Sequence, residues 1–167
     1  MGKAQSKTPP ASKDGKPHFK TVSDNRRARH EYEVLEVFEA GIVLSGTEVK
    51  SIRQGRANLA DSFARVEEGE LWLYNCHISP YDYGNRFNHD PVRKRKLLMH
   101  HKQILKIKSR MQEKGLTIVP LKLFFKGNWA KMDLALARGK QLYDKRADIA
   151  KRETKRQLER IIKQGRE

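Results

Sequence analysis

The sequence predicts a mainly β protein: a small antiparallel β-barrel with short flanking helices and a basic C-terminal tail. Two observations predict it. Runs of β-branched, aromatic and aliphatic residues recur between turn signals through the middle of the chain, and their order is strands, short helix, hairpin, longer helix, hairpin. That order lacks the strand-helix alternation of a parallel sheet. A chain of 167 residues holds one core plus appendages.

The elements follow in order. Residues 1–24 contain Pro9, Pro10 and Pro17, five lysines and little apolar content beyond Phe19 and Val22, which predicts a disordered basic arm. Residues 25–137 carry most of the aliphatic and aromatic side chains and form the barrel domain. Within them, 32–38 and 42–44 read as two strands or as one kinked strand, with Gly41 marking a bulge or bend. Thr47 caps a short helix over 48–54 that stops at Gly55, with Val49 and Ile52 facing inward. Residues 62–66 and 71–74 flank the turn 67–70 as a hairpin. Two prolines, Gly84, Asn85 and Asn88 make 79–91 a loop. The basic run 93–96 leads into a helix on which Leu97, Leu98, Ile104, Leu105 and Met111 keep helical spacing until Gly115. Residues 116–119, 121–125 and 129–134 give a second hairpin around Gly127-Asn128. Antiparallel barrels of five or six strands plugged by a helix include the oligonucleotide-binding (OB) folds.

Charge narrows the partner. There are 36 Lys and Arg against 20 Asp and Glu, a net charge of +16, and the excess is spread over arm, body and tail. Such a chain favours a polyanion, because cations on phosphates release condensed counterions. No run approaches the roughly 18 apolar residues of a membrane helix, so a cytoplasmic protein is expected. Cys76 is the sole cysteine, which leaves no internal disulfide and no multi-cysteine zinc site. No glycine pattern matches a phosphate loop or dinucleotide fingerprint, so no cofactor is implied.

Two basic motifs are candidate RNA contacts. Asn25-Arg26-Arg27-Ala28-Arg29-His30 sets three guanidiniums directly before the first strand. Their forks suit phosphate oxygens, and the His30 ring suits stacking. Arg93-Lys94-Arg95-Lys96 is the second, read either as phosphate contacts or as an exposed helix start. Aromatics on strands (Phe63, Trp72, Tyr74, Phe124, Phe125, Trp129) are assigned to the core, and the loop rings Tyr81, Tyr83 and Phe87 are the better stackers. Cys76-His77, His89-Asp90 and His100-His101 invite an enzyme reading, but neighbours on a strand point to opposite faces and no metal-ligand spacing occurs. The tail, 138–167, is rich in helix formers with too little apolar area to dock, so it is expected to be loose when free.

Together these residues resemble the SsrA-binding proteins, the SmpB family. The resemblance is carried by Asn25-Arg26-Arg27-Ala28-Arg29-His30-Glu31-Tyr32, Phe38-Glu39-Ala40-Gly41, Gly46-Thr47-Glu48-Val49-Lys50-Ser51, Arg93-Lys94-Arg95-Lys96-Leu97-Leu98 and Asp144-Lys145-Arg146. It implies an OB-like barrel and a non-enzymatic adaptor. The implied partners are the tRNA-like domain of transfer-messenger RNA, the A site and messenger channel of a stalled ribosome, and elongation factor Tu with GTP on the charged RNA. Carried onto this chain, Asn25, Arg26, Arg27, Arg29, Glu39 and Leu98 face the RNA. Asp144, Lys145 and Arg146, with Tyr143, Ile161 and Ile162, belong to a tail that becomes helical inside the empty messenger channel. Two other readings stay open: a structural ribosomal protein, and an RNA-processing enzyme using His77 or His100 with Asp90.

Overall fold

The computed structural model describes residues 19–112 and 115–164. Its elements are β1 (Phe19–Asp24), α1 (Arg26–Glu31), β2 (Tyr32–Ile42), α2 (Gly46–Arg53), β3 (Ala57–Asn58), β4 (Phe63–Glu67), β5 (Glu70–Tyr74), β6 (His77–Ile78), a 3-10 turn at Asn85–Phe87, β7 (Arg95–Leu98), α3 (His101–Arg110), β8 (Leu116–Lys126), β9 (Trp129–Gly139) and α4 (Leu142–Gln164).

The sheet closes on itself. Strands run β8-β4-β5-β7-β2-β9, and β9 pairs back onto β8. All of these pairings are antiparallel, so the predicted barrel is present. Closure leaves inward positions to fill one core, and β1 adds an edge strand against β8. Leu71 and Leu73, Leu97, Ile118, Leu123, Met132 and Leu134 point inward, each no more than 1% exposed, with Ile52 of α2 and Ile107 of α3 sealing the ends. Truncating one of these to Ala costs about 2–5 kcal/mol.

Both hairpins are as predicted. In β4–β5, Glu68 and Gly69 both take positive φ, the geometry of a type I′ turn that matches strand twist. In β8–β9, Lys126 pairs with Trp129 across Gly127-Asn128.

Five expectations need correction. Residues 19–24, assigned to the disordered arm, form β1 along the end of β8, from Phe19 opposite Lys126 to Asp24 opposite Lys122; the rest of that arm lies outside the described residues. Gly41 does not interrupt β2, whose register shifts between Val34 and Glu36 instead. Residues 95–98 are a strand, not a helix start, because Arg95 and Leu97 turn inward while Lys96 and Leu98 turn outward, a period of two. Strand β9 runs on to Gly139, past the 129–134 expected for it. The helix α2 is capped by Ser45, not Thr47: its hydroxyl accepts from the Glu48 N–H and the Glu48 carboxylate accepts from the Ser45 N–H.

Candidate nucleic-acid interface

Helix α1 is too short to hold itself together in water, and its position is set by Asn25. The Asn25 Oδ1 accepts from the Ala28 N–H at 3.0 Å, and Nδ2 donates to the carbonyls of Leu59 (2.8 Å) and Pro120 (3.0 Å). The Asn25 N–H donates to Leu121 O at 2.8 Å. One buried side chain thus ties the helix to two distant segments of the barrel. Asn25, predicted to face RNA, is 3% exposed and has its polar atoms engaged. These bonds set the position of the arginines that follow it.

The arginines it presents lie on the surface. Arg26 is exposed. Arg27 donates to Glu31 at 2.8 Å and to Asp61 at 2.9 Å, and Arg29 pairs with Asp24 at 3.3 Å. The hydrogen bond to Glu31 holds the Arg27 pKa above its ordinary value. Exposed ion pairs of this kind contribute about 0–1 kcal/mol, so phosphates can compete for the guanidiniums at little cost. His30 is half-buried at the end of α1, where cations complement the helix dipole.

A second patch lies on the outer face of β2, β7 and β9. Gly41 and Leu98 are paired across β2 and β7, and a Cβ at Gly41 would stand 3.2 Å from the Leu98 Cβ. The glycine lets the strands close up and turns Leu98 outward, 52% exposed. Leu98 then borders a cleft of about 460 Å3 shared with Glu39, Met99, His100, Gln103 and Lys131. The Glu39 carboxylate lies 3.3 Å from both Lys126 Nζ and Lys131 Nζ. Partial burial opposes its ionisation, yet the two ammonium groups prevail and its pKa falls below the ordinary value. An ionised acceptor beside an exposed apolar side chain can take hydrogen bonds from base amino groups or 2′-hydroxyls.

The run 93–96 splits into two kinds of residue. Lys94 is exposed, 4.8 Å above the Trp72 ring and 3.8 Å from Glu67, and Lys96 pairs with Glu70. Arg95, predicted to contact RNA, is fully buried. It donates to Glu48 Oε1 at 2.8 Å and to the carbonyls of Cys76 (2.6 Å), Arg93 (3.0 Å) and Pro91 (3.1 Å). Arg93 Nε donates to the same Glu48 oxygen at 2.8 Å. Burial pushes the Glu48 pKa up, but Arg93, the Ser45 N–H and Arg95 pull it down to about 2. This cluster joins α2 to β7 inside the barrel wall, so two of the four basic residues hold the fold while Lys94 and Lys96 remain available outside. The Ser45-to-Glu48 spacing is a legible capping box; nothing local announced the arginines on the same carboxylate.

Of the groups behind the enzyme reading, His77 and His100 are exposed, while Cys76, His89 and Asp90 have other surroundings. Burial raises the Cys76 thiol to about 11, the wrong direction for a nucleophile. The two His89 ring nitrogens lie 3.2 Å from Thr47 Oγ1 and 2.9 Å from Ile78 O, and Asp90 accepts from the Val92 N–H. Among the strand aromatics, Phe124 and Phe125 are buried, whereas Phe63, Trp72 and Tyr74 lie on the barrel's outer side and Trp129 is exposed. Phe125 packs in the core cluster, while Phe124 is buried on the barrel's outer side against Phe19.

The tail leaves the barrel at Lys140, whose N–H donates to Glu31 O at 2.8 Å, and continues as α4. It is one helix of 23 residues, about 34 Å long at ~1.5 Å per residue. Every described side chain on it is exposed, including Asp144, Arg146, Ile161 and Ile162. The side chains of Tyr143 and Lys145 lie outside the described ones. Asp144 and Lys151 border a groove of about 440 Å3 with Arg29, Tyr32 and Lys140.

A closed antiparallel barrel carrying a pinned arginine helix, a mixed acidic and apolar cleft and a long basic helix defines a small basic barrel protein equipped for polyanions. The family model for SmpB protein matches residues 22–164, and the chain belongs to that family. It is 61% identical over 144 residues to the SsrA-binding protein of Carboxydothermus hydrogenoformans, covering 86% of this chain and 97% of that one. With the SsrA-binding protein of Gloeobacter violaceus it shares 58% over 144 residues, 86% of this chain and 95% of the relative. A solved structure described as "tmRNA-SmpB: a journey to the center of the bacterial ribosome" matches with a TM-score of 0.62 and 53% identity, over 72% of this chain and 85% of that chain.

Proposed function

We propose that this chain is an adaptor, not an enzyme, that binds the tRNA-like domain of transfer-messenger RNA and brings it to stalled ribosomes for trans-translation. The observation that carries the reading is the SmpB family match, which runs through barrel and tail alike, over residues 22–164.

The body supplies shape and charge. Arg26, Arg27 and Arg29 on α1 take phosphates, with the His30 ring beside them, and Lys94 and Lys96 add cations on the adjoining barrel wall. Glu39 and Leu98 read a base edge or ribose and pack against it. Asn25 and Arg95 act from inside by holding α1 and β7 in place. The tail supplies the test of the ribosome's state. A helix about 34 Å long with cations along it fits a channel walled by phosphates, and only a channel empty of messenger has room for it. There Tyr143, Asp144, Lys145 and Arg146 lie near the decoding centre, and Ile161 and Ile162 give apolar contact further along. The RNA arrives charged with alanine and carrying elongation factor Tu with GTP, in the cytoplasm. Purifying the full chain from bacterial cells and sequencing the RNA it retains tests this. One small tRNA-ended species should dominate; intact ribosomal RNA in its place would favour a structural ribosomal protein.

A further inference from the structure

The strand register lines up residues that are far apart in sequence. Thr21 of β1 lies opposite Phe124 of β8, Phe124 opposite Lys131 of β9, Lys131 opposite Gly41 of β2, and Gly41 opposite Leu98 of β7. One line therefore crosses five strands of the barrel's outer face and ends at the Glu39–Leu98 cleft. The next line toward the rim holds Phe19, Lys126 and Trp129, again as direct register neighbours.

That second line is chemically unusual. Trp129 is 75% exposed and Phe19 57% exposed, large rings left in water on either side of a lysine. Single exposed apolar residues are ordinary, whereas contiguous ones mark binding surfaces. The Lys126 Nζ sits 5.7 Å from the Phe19 centroid and 3.3 Å from Glu39, so the rim is continuous with the cleft. Behind Phe19, the Phe124 ring is tilted by 44° at 6.0 Å between centroids and fixes it from below. Exposed rings interleaved with cations are the composition that stacks bases while neutralising phosphates. Two strand spacings of ~4.8 Å put the two rings about 10 Å apart, so a base on either ring leaves its phosphate near the Lys126 ammonium.

We propose that Phe19, Lys126 and Trp129 form a stacking subsite for an unpaired nucleobase of the bound RNA, at the barrel rim beside Glu39 and Leu98. The inference rests on the adaptor reading and adds to it a contact with a splayed-out base, distinct from the phosphate contacts of α1.

The chain has two tryptophans, which permits a direct test. In full-length protein carrying Trp72→Phe, which keeps a ring under Lys94, Trp129 is the sole indole reporter. Titration with the isolated tRNA-like domain RNA should quench its fluorescence at saturation. Trp129→Ala should weaken binding about ten-fold, within the range for removal of one stacked base, without changing the salt dependence, because stacking releases no counterions. Trp129→Phe should restore most of the affinity. RNA binding with no quench, and Trp129→Ala affinity within two-fold of wild type, would overturn the subsite while leaving the adaptor reading intact. Quenching that grows with protein concentration in the absence of RNA would assign the rings to a contact between copies and overturn it as well. Failure of the wild-type chain to bind this RNA at all would instead sink the adaptor reading, and the subsite with it.

Discussion

The two surface helices of this protein are built in opposite ways. Helix α1 has six residues and owes its place to Asn25, whose side chain directs every hydrogen bond to barrel carbonyls and to the helix's own first turn. Helix α4 has 23 residues, long enough to persist through its own backbone bonds, and exposes every described side chain. The contrast is between preorganisation and adaptability. Arginines on a pinned helix meet a ligand with their backbone already ordered, which favours recognition of a rigid folded RNA. A helix whose described side chains all face water can take whatever direction its surroundings impose.

Deleting residues 141–167 is the largest test of that division. RNA affinity should stay nearly unchanged, while alanine incorporation on stalled ribosomes should vanish in a reconstituted translation assay. A parallel drop in RNA affinity would break the comparison, since it would mean that α4 is part of the RNA grip. The next test concerns the frame behind α1 and β7. Glu48→Gln leaves Arg95 buried against a neutral partner and should lower stability by about 3–5 kcal/mol, read from urea unfolding. The Glu48 carboxyl sits at about 2 in the folded protein against an ordinary 4.5. A depressed folded value stabilises above the unfolded one, so this contribution is complete above about pH 5 and is lost as pH falls toward 2. It amounts to about 3 kcal/mol. Wild-type stability should therefore fall across that window and the variant's should fall less, with the α4 helical signal at neutral pH the same in both.

How much of this was legible in the sequence follows from how local each feature is. The β4–β5 and β8–β9 hairpins were readable because their turns, Glu68-Gly69 and Gly127-Asn128, lie between apolar runs in adjacent sequence. The barrel followed from the order of elements. Strand β1 was not readable, since its backbone is satisfied only by β8, about a hundred residues away. The run 93–96 looked like one basic motif, yet alternation sends Arg95 to Glu48 in the interior and Lys94 and Lys96 to the surface; which face a strand residue takes is set by its neighbours in the sheet. Asn25 was named as RNA-facing through the resemblance alone, and its cap and its bonds to Leu59 and Pro120 were hidden because those partners lie 34 and 95 residues away. The lysines that hold Glu39 ionised come from β8 and β9, and no spacing announced them.

The smallest effects should sharpen the picture of α1. Arg27→Ala and Arg29→Ala each remove an exposed cation whose partners, Glu31 with Asp61 and Asp24, are themselves on the surface. Thermal stability should stay close to wild type, because exposed ion pairs add little. RNA binding should weaken, and the slope of log affinity against log salt should flatten by roughly 0.7–0.9 for each phosphate that is no longer neutralised. Asn25→Ala should do the reverse. It leaves the Leu59 and Pro120 carbonyls without their donor and uncaps the helix, at a cost of about 2–3 kcal/mol in stability. Its RNA affinity should fall through disorder of α1 while the salt slope of the binding that remains stays close to wild type, because the arginines are still present. If Arg27→Ala and Arg29→Ala leave the slope untouched, α1 is a structural plug rather than a contact surface, and its pinning by Asn25 serves the barrel and not the RNA.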